Sequence, residues 1–245
     1  MRGTIQGPTT RTGSQETLAR ALLLRLLSQA FTYPTQLDTS RLLEDDVPLA
    51  AATAERLPGP VGDALLAFVD TLAGATAPSL EERYREVFTH VHSGDCPIYE
   101  TDYGPRDVWR QSNELADIAG FYRAFGFDPL GERPDHAAVE LEFLHVLAYK
   151  EAWATAHGDE ANAGVCHEAA AAFARDHALA WLPALAARAE ALAREGPYAA
   201  AACLLTAFCA AESERIGVSL PEDLPAPVSV GRLEDEAPGL CEVET

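Results

Sequence analysis

The sequence has 245 residues, 38 acidic and 18 basic, and a formal net charge of −20. Such acidity argues against nucleic acid and against anionic membrane surfaces, because nothing offsets phosphate repulsion. It suits a basic partner, and it equally suits a plain need for solubility; hydrophobic residues at 48% are enough for a packed core.

Residues 1–13 are rich in Gly, Thr and Arg and are expected to be disordered. A first helix is predicted from Ser14, an N-cap residue with Glu16 in the first turn. Leu18, Leu22, Leu26 and Ala30 recur every fourth position and define an apolar stripe. The run Ala21 to Leu27 is interrupted by Arg25 and is too short to span a bilayer. No secretory cleavage site follows it, so a cytoplasmic location is expected. Pro34 lies past this helix, residues 37–45 predict a short one, and Leu57-Pro58-Gly59-Pro60 is a breaker.

A helix over 61–73 carries Leu65, Leu66, Phe68, Val69 and Leu72. Ser79 and Glu82 fit a capping box for a short helix with Leu80, Tyr84, Val87 and Phe88 on one face. Residues 89–104 have no periodicity and predict a loop. Helix is expected from Pro105 to Phe125, stopped by Gly126. After a loop from Asp128 to Arg133, Pro134 suits the first turn of the next helix. That helix, 134–157, is apolar on several sides and should be central. Alanine-rich helices follow over 160–180, 182–195 and 197–216, divided at Trp181-Leu182-Pro183 and at Gly196-Pro197. From Ser219 onward, prolines and an acidic run predict a disordered tail. No segment alternates with a period of two. The expectation is therefore an all-α single-domain bundle over 14–218, of about eight to ten helices and no sheet, flanked by disordered 1–13 and 219–245.

Cys96, Cys166, Cys203, Cys209 and Cys241 are odd in number and form no Cys-x-x-Cys, which argues against a disulfide framework. Cys166, Cys203 and Cys209 read as small core residues. Glu142 and His145 form one Glu-x-x-His pair, half of what a di-iron bundle needs; with His136 they define an alternative, a helical metalloenzyme. His90, His92, Asp95 and Cys96 could hold zinc, but they lack the paired cysteines of a structural site. Two solvated loop histidines are the simpler reading. Nucleophile-elbow, phosphate-loop and dinucleotide motifs are missing, so no catalytic residue and no cofactor is assigned. A generic helical adaptor is the other alternative.

One stretch is more specific. Tyr84-Arg85-Glu86-Val87-Phe88 is followed by Cys96-Pro97-Ile98-Tyr99-Glu100-Thr101-Asp102-Tyr103-Gly104. Then come Glu114 to Tyr122 and Glu132-Arg133-Pro134-Asp135-His136, with Glu140 one turn on. This order and spacing resembles the TorD/DmsD/NarJ family of redox-enzyme maturation chaperones, closely over about residues 80–155. It departs from that family's pattern where Cys96 replaces a proline, where Ile98 separates Pro97 from Tyr99, and where Pro134-Asp135-His136 is one residue shorter.

The resemblance implies a TorD-like all-helical domain without catalysis. The implied partner is the catalytic subunit of a molybdopterin-dependent oxidoreductase, bound at its twin-arginine signal peptide or a similar N-terminal segment. The chaperone would act as a monomer or homodimer. Nucleotide binding is associated with the family, but no motif here supports it. Guanidinium groups favour carboxylates, and an apolar segment needs a groove. Between positions 81 and 160 acidic residues outnumber basic ones more than two to one. The expected client site comprises Tyr84, Phe88, Pro97, Tyr99, Glu100, Asp102, Trp109, Asp135, His136 and Glu140. The competing reading is that Tyr99, Glu100 and Asp135 anchor the loop.

Overall fold

The computed structural model describes residues 8–88, 95–105, 107–129 and 131–228; the side chains of 8–12 and of Val108 are not among those described. In chain order the helices are α1 (Pro8–Phe31), α2 (Thr39–Arg41), α3 (Val47–Ala51), α4 (Gly59–Thr71), α5 (Ala77–Val87), α6 (Val108–Ala124), α7 (Ala137–Ala156), α8 (Glu160–Phe173), α9 (Leu179–Ala193) and α10 (Pro197–Ile216). Among the described residues there is no strand, only two isolated bridges. The fold is an all-α single-domain bundle.

Its centre is α7, as the apolar residues on several of its sides predict. Leu141, Phe143, Leu144, Leu147 and Ala148 are fully enclosed, because α1 packs along one side and α8 along another. α10 joins α9 to α4 across the bundle. α1 supplies Leu23, Leu24, Leu27 and Phe31 to the same core. Each such side chain contributes roughly 1.5–3 kcal/mol by leaving water.

Several local expectations are corrected. α1 begins at Pro8, upstream of Ser14. Leu18 is 39% exposed, because the buried side of α1 is set by α7, α3 and α10 and takes in Leu23, Leu24 and Leu27. The capping box of α5 is made by Thr76 and Ser79, not by Ser79 and Glu82. The preceding Thr76 is extended, and Pro78 presets the first turn without needing an N–H partner.

The break expected at Trp181-Leu182-Pro183 does not occur. Helix runs on from α8 to α9 through a wide π turn at Ala174–Ala178. Leu179, whose carbonyl Pro183 would otherwise meet, has ψ of −11°, which turns that group from the regular helical direction. Cys203 is exposed rather than core, while Cys96, Cys166 and Cys209 are buried.

The segment after α10 is also corrected over 219–228. Pro225 and Pro227 favour extended backbone, which pairs with the loop before α6. Gly104 N–H donates to the Ala226 carbonyl at 2.8 Å and Val228 N–H to the Asp102 carbonyl at 2.7 Å. His90, His92 and Cys241, with 1–7 and 229–245, lie outside the described residues.

Candidate functional site

The loop 96–104 is fixed to the start of α7 by backbone pairing. Glu100 N–H donates to the Asp135 carbonyl at 2.9 Å, and Ala137 N–H donates to the Ile98 carbonyl at 3.0 Å. Tyr99 and His136 thus face each other as an antiparallel bridge, rings edge-on at 5.1 Å.

Asp135 is the hub of this junction and is completely buried. Its Oδ2 accepts from Thr101 N–H at 3.2 Å, from Thr101 Oγ1 at 2.8 Å and from Arg133 Nη2 at 2.8 Å. Its Oδ1 accepts from Arg133 Nε at 3.0 Å. The Arg133 guanidinium also lies 4.2 Å over the Tyr99 ring, a cation–π contact, and the Tyr99 hydroxyl donates to Glu132 at 3.2 Å. His136 caps α7 by accepting Ala138 N–H on Nδ1 at 3.1 Å. Burial holds its pKa down to about 4, so the ring stays neutral and able to accept.

Behind the junction lies a buried acid cluster. Glu140 is wholly enclosed, and its Oε2 accepts from the Trp181 indole N–H at 3.0 Å. Burial raises the Glu140 pKa well above the carboxylate range, and the facing Glu100 carboxylate raises it further. Glu140 Oε1 and Glu100 Oε2 are both buried with no other partner. A proton held on Glu140 and donated to Glu100 satisfies both, which is how two enclosed carboxyls coexist. The other Glu100 oxygen meets His177 Nδ1 at 3.2 Å, and His177 Nε2 meets the exposed Asp117 at 3.1 Å. Burial opposes charge on His177, but hydrogen bonds and charge from Glu100 and Asp117 outweigh it and raise its pKa.

This cluster carries a pH consequence. The folded chain keeps a proton on Glu140 that the unfolded chain releases above the ordinary carboxylate pKa. Glu140 therefore costs stability increasingly as pH rises from there toward its raised folded value. Glu140→Gln keeps one acceptor for Trp181 and one donor for Glu100. The variant is expected to match the wild type near pH 4 and to gain on it steadily toward neutrality, read from urea midpoints across pH. A constant difference at all pH values would remove the shared proton.

The sequence-predicted site residues divide into three groups. Glu100, Asp135, His136 and Glu140 meet at one junction but are buried, committed to internal partners. Pro97, Tyr99 and Asp102 lie over them, part exposed, and Trp109 stands out at 81% exposure on the first turn of α6. Tyr84 and Phe88 take no part in the junction's hydrogen bonds. They are buried in an aromatic cluster with Phe31 and Tyr198, and the Tyr84 hydroxyl donates to the Phe31 carbonyl at 3.2 Å.

His136, Glu142 and His145 are not brought together. Nine residues of helix separate the histidines, about 13 Å, and His145 is held against the Ala21 carbonyl at 2.8 Å. Among the described residues no three His, Cys, Asp or Glu form a metal-binding group. His177, Trp181, Asp117 and Arg133 were not singled out from sequence. His177 and Trp181 lie in or beside the π turn, a feature common at functional positions, and nothing local in an alanine-rich helix signals it.

In front of the junction a small cleft of about 180 Å³ opens between the segment that follows α1 (Thr32 and Gln36), the α6–α7 connection and α7. His136 forms part of its wall, and Asp128, Glu132 and Glu142 surround it. Such a concentration of carboxylates favours a cationic guest.

No curated protein matches the sequence. A family model described as the nitrate reductase delta subunit matches residues 54–187. That span is more than half of the chain and contains the whole junction, the acid cluster and the π turn. The chain thus belongs to the nitrate reductase delta subunit family, a family of NarJ/TorD-type chaperones for molybdoenzyme maturation.

Proposed function

We propose that the chain binds the N-terminal, twin-arginine-type segment of the catalytic subunit of a DMSO-reductase-family molybdoenzyme. It holds that subunit in the cytoplasm for cofactor insertion, then releases it for assembly or export. The observation that carries this reading is the junction of loop 96–104 with α7. A rigid, internally satisfied acid cluster supports the part-exposed Pro97, Tyr99 and Asp102. Tyr99 donates to Glu132 of the carboxylate cleft, and the exposed Trp109 stands on the first turn of α6, whose Gln111 donates to the Thr101 carbonyl. Aromatic faces and carboxylates together suit guanidinium groups. Glu100, Asp135, His136 and Glu140 act in this scheme by positioning the loop. Tyr84 and Phe88 act only through the core.

The test combines co-purification from the native host with titration of the captured partner's N-terminal peptide. Trp109→Ala and Asp102→Asn are expected to weaken binding about tenfold each. Stability should move by less than about 1 kcal/mol, since Trp109 is exposed and Asp102 only half-buried. Unchanged affinity in both variants would place the client surface elsewhere. A partner unrelated to molybdoenzymes would remove the reading altogether.

A further inference from the structure

The carboxylate cleft is one end of a longer surface strip. Glu142, Val146, Tyr149 and Trp153 stand at i, i+4, i+7 and i+11 on α7 and therefore share a face. Glu142 belongs to the cleft with Asp128 and Glu132. Tyr149 and Trp153 line a groove of about 520 Å³ with Phe125 and Ala124 from the end of α6 and Val165 from α8. Tyr149, Trp153 and Val165 are each more than half exposed, an unusual concentration of large apolar side chains in water.

The two ends differ in chemistry. One holds three carboxylates. The other holds two aromatic rings, an aliphatic side chain and Lys150, the one lysine of the chain. Asp159 also lines it, but that carboxylate caps α8, accepting from Asn162 N–H at 3.2 Å and Asn162 Nδ2 at 2.6 Å. Lys150 donates to the Phe125 carbonyl at 2.8 Å and lies 5.9 Å over the Phe125 ring. A basic residue placed at that end would meet a fixed cation, whereas at the carboxylate end it would meet partners. At 1.5 Å per residue, Tyr149 and Trp153 stand about 10 and about 16 Å from Glu142 along the axis.

We propose that this strip is a bipartite peptide site. It takes a basic pair in the Asp128, Glu132 and Glu142 cleft and, about three to five extended residues away, apolar side chains between Tyr149, Trp153 and Val165. The proposal rests on the reading above that the partner is a basic-then-apolar N-terminal segment, and adds where each part lies. Charge complementarity selects this occupant over a second copy of the chain, whose net charge of −20 opposes self-association.

The experiment uses the full chain and two fluorescein-labelled synthetic peptides of about 14 residues. One has Arg-Arg followed after about four residues by Leu-Leu-Phe; the other has Gln-Gln in place of Arg-Arg. Three variants are titrated alongside the wild type: Glu132→Gln with Glu142→Gln, Trp153→Ala, and Tyr149→Ser. All four side chains reach the surface, and equal thermal midpoints check that the variants fold. The arginine peptide is expected to bind the wild type at least about tenfold more tightly than the glutamine one. The Glu132→Gln with Glu142→Gln variant should weaken it about tenfold and flatten its salt dependence, and Trp153→Ala should weaken it about tenfold at all salt concentrations.

Binding of the arginine peptide that ignores all three variants overturns the strip while leaving the client reading intact. Equal binding of both peptides overturns the carboxylate end of the site. No binding of either peptide, with no client captured from the host, overturns both. Self-association of the wild type that Trp153→Ala abolishes makes the groove a contact between copies and overturns the peptide site.

Discussion

Replacing Glu212 by alanine is expected to destabilise the fold by about 3–5 kcal/mol, enough to threaten folding at moderate temperature. Glu212 is 2% exposed on α10 and receives two arginines at once. Arg20 of α1 reaches it through Nε at 2.9 Å and Nη2 at 2.6 Å, and Arg215 through Nε at 3.0 Å and Nη2 at 2.7 Å. Burial alone would raise the pKa of this carboxyl, but the two guanidinium groups outweigh it and lower it to about 2. Removing the anion leaves two cations facing each other, Arg20 only 11% exposed, with no acceptor. That unpaired state, rather than the lost attraction, sets the size of the effect.

The same group has a signed pH dependence. A depressed folded pKa stabilises above the ordinary carboxylate value, near 4.5 for Glu212, and the gain is lost as pH falls from there through about 2. The shift corresponds to about 3 kcal/mol. Urea denaturation at pH 7 and pH 3 checks both statements: the gap between Glu212→Ala and wild type should be wide at pH 7 and narrower at pH 3. Replacing Arg20, Glu212 and Arg215 together by Met should recover most of the loss, as apolar substitutes for buried ion clusters often do. A Glu212→Ala variant as stable as the wild type would show the cluster to be idle.

Asp135→Ala is the second large effect, expected at about 3 kcal/mol. The variant leaves the buried Thr101 N–H and hydroxyl without their acceptor. Arg133, 46% exposed, can rehydrate and adds less. The loss is also local in a way a generic core defect is not. Glu100 and Ala137 N–H groups close the ladder between loop and helix, and their hydrogen exchange should accelerate far more than that of amides in the middle of α10. Uniform acceleration across the bundle would mean that Asp135 serves global stability without clamping the loop. Asp135→Asn, which keeps one acceptor oxygen, should fall between the two.

These effects separate what the chain's order encodes from what its packing decides. The helix period is carried by near neighbours, so the long helices and the central standing of α7 are legible from Leu141, Phe143, Leu144 and Leu147 alone. So is the meeting of the Tyr99 loop with Asp135 and His136, though through the family resemblance rather than through any local rule. The exposure of those residues was not legible: Asp135 and Glu140 are acidic and helical in sequence, and nothing adjacent shows that Thr101, Arg133 and Trp181 enclose them.

Capping and breaking signals failed where groups within a few residues compete as well as where distant ones do. Thr76 displaced Ser79 as the cap of α5 by a choice between two adjacent hydroxyls. Pro183 failed to end a helix because a π turn five residues earlier reset the carbonyl it would meet. The tail at 226–228 pairs with 102–104, which polar and proline-rich composition cannot anticipate, because the partner backbone lies more than a hundred residues away.

By itself, then, the sequence determined the all-α class, the acidic character and the family, since each depends on residue type and local spacing. Tertiary structure alone decided which carboxylates are enclosed, which stay at the surface, and that His177 links Glu100 to the exposed Asp117. Burial and hydrogen-bond partnership are properties of segments brought together from distant parts of the chain, and a carboxylate's charge, reach and role follow from them.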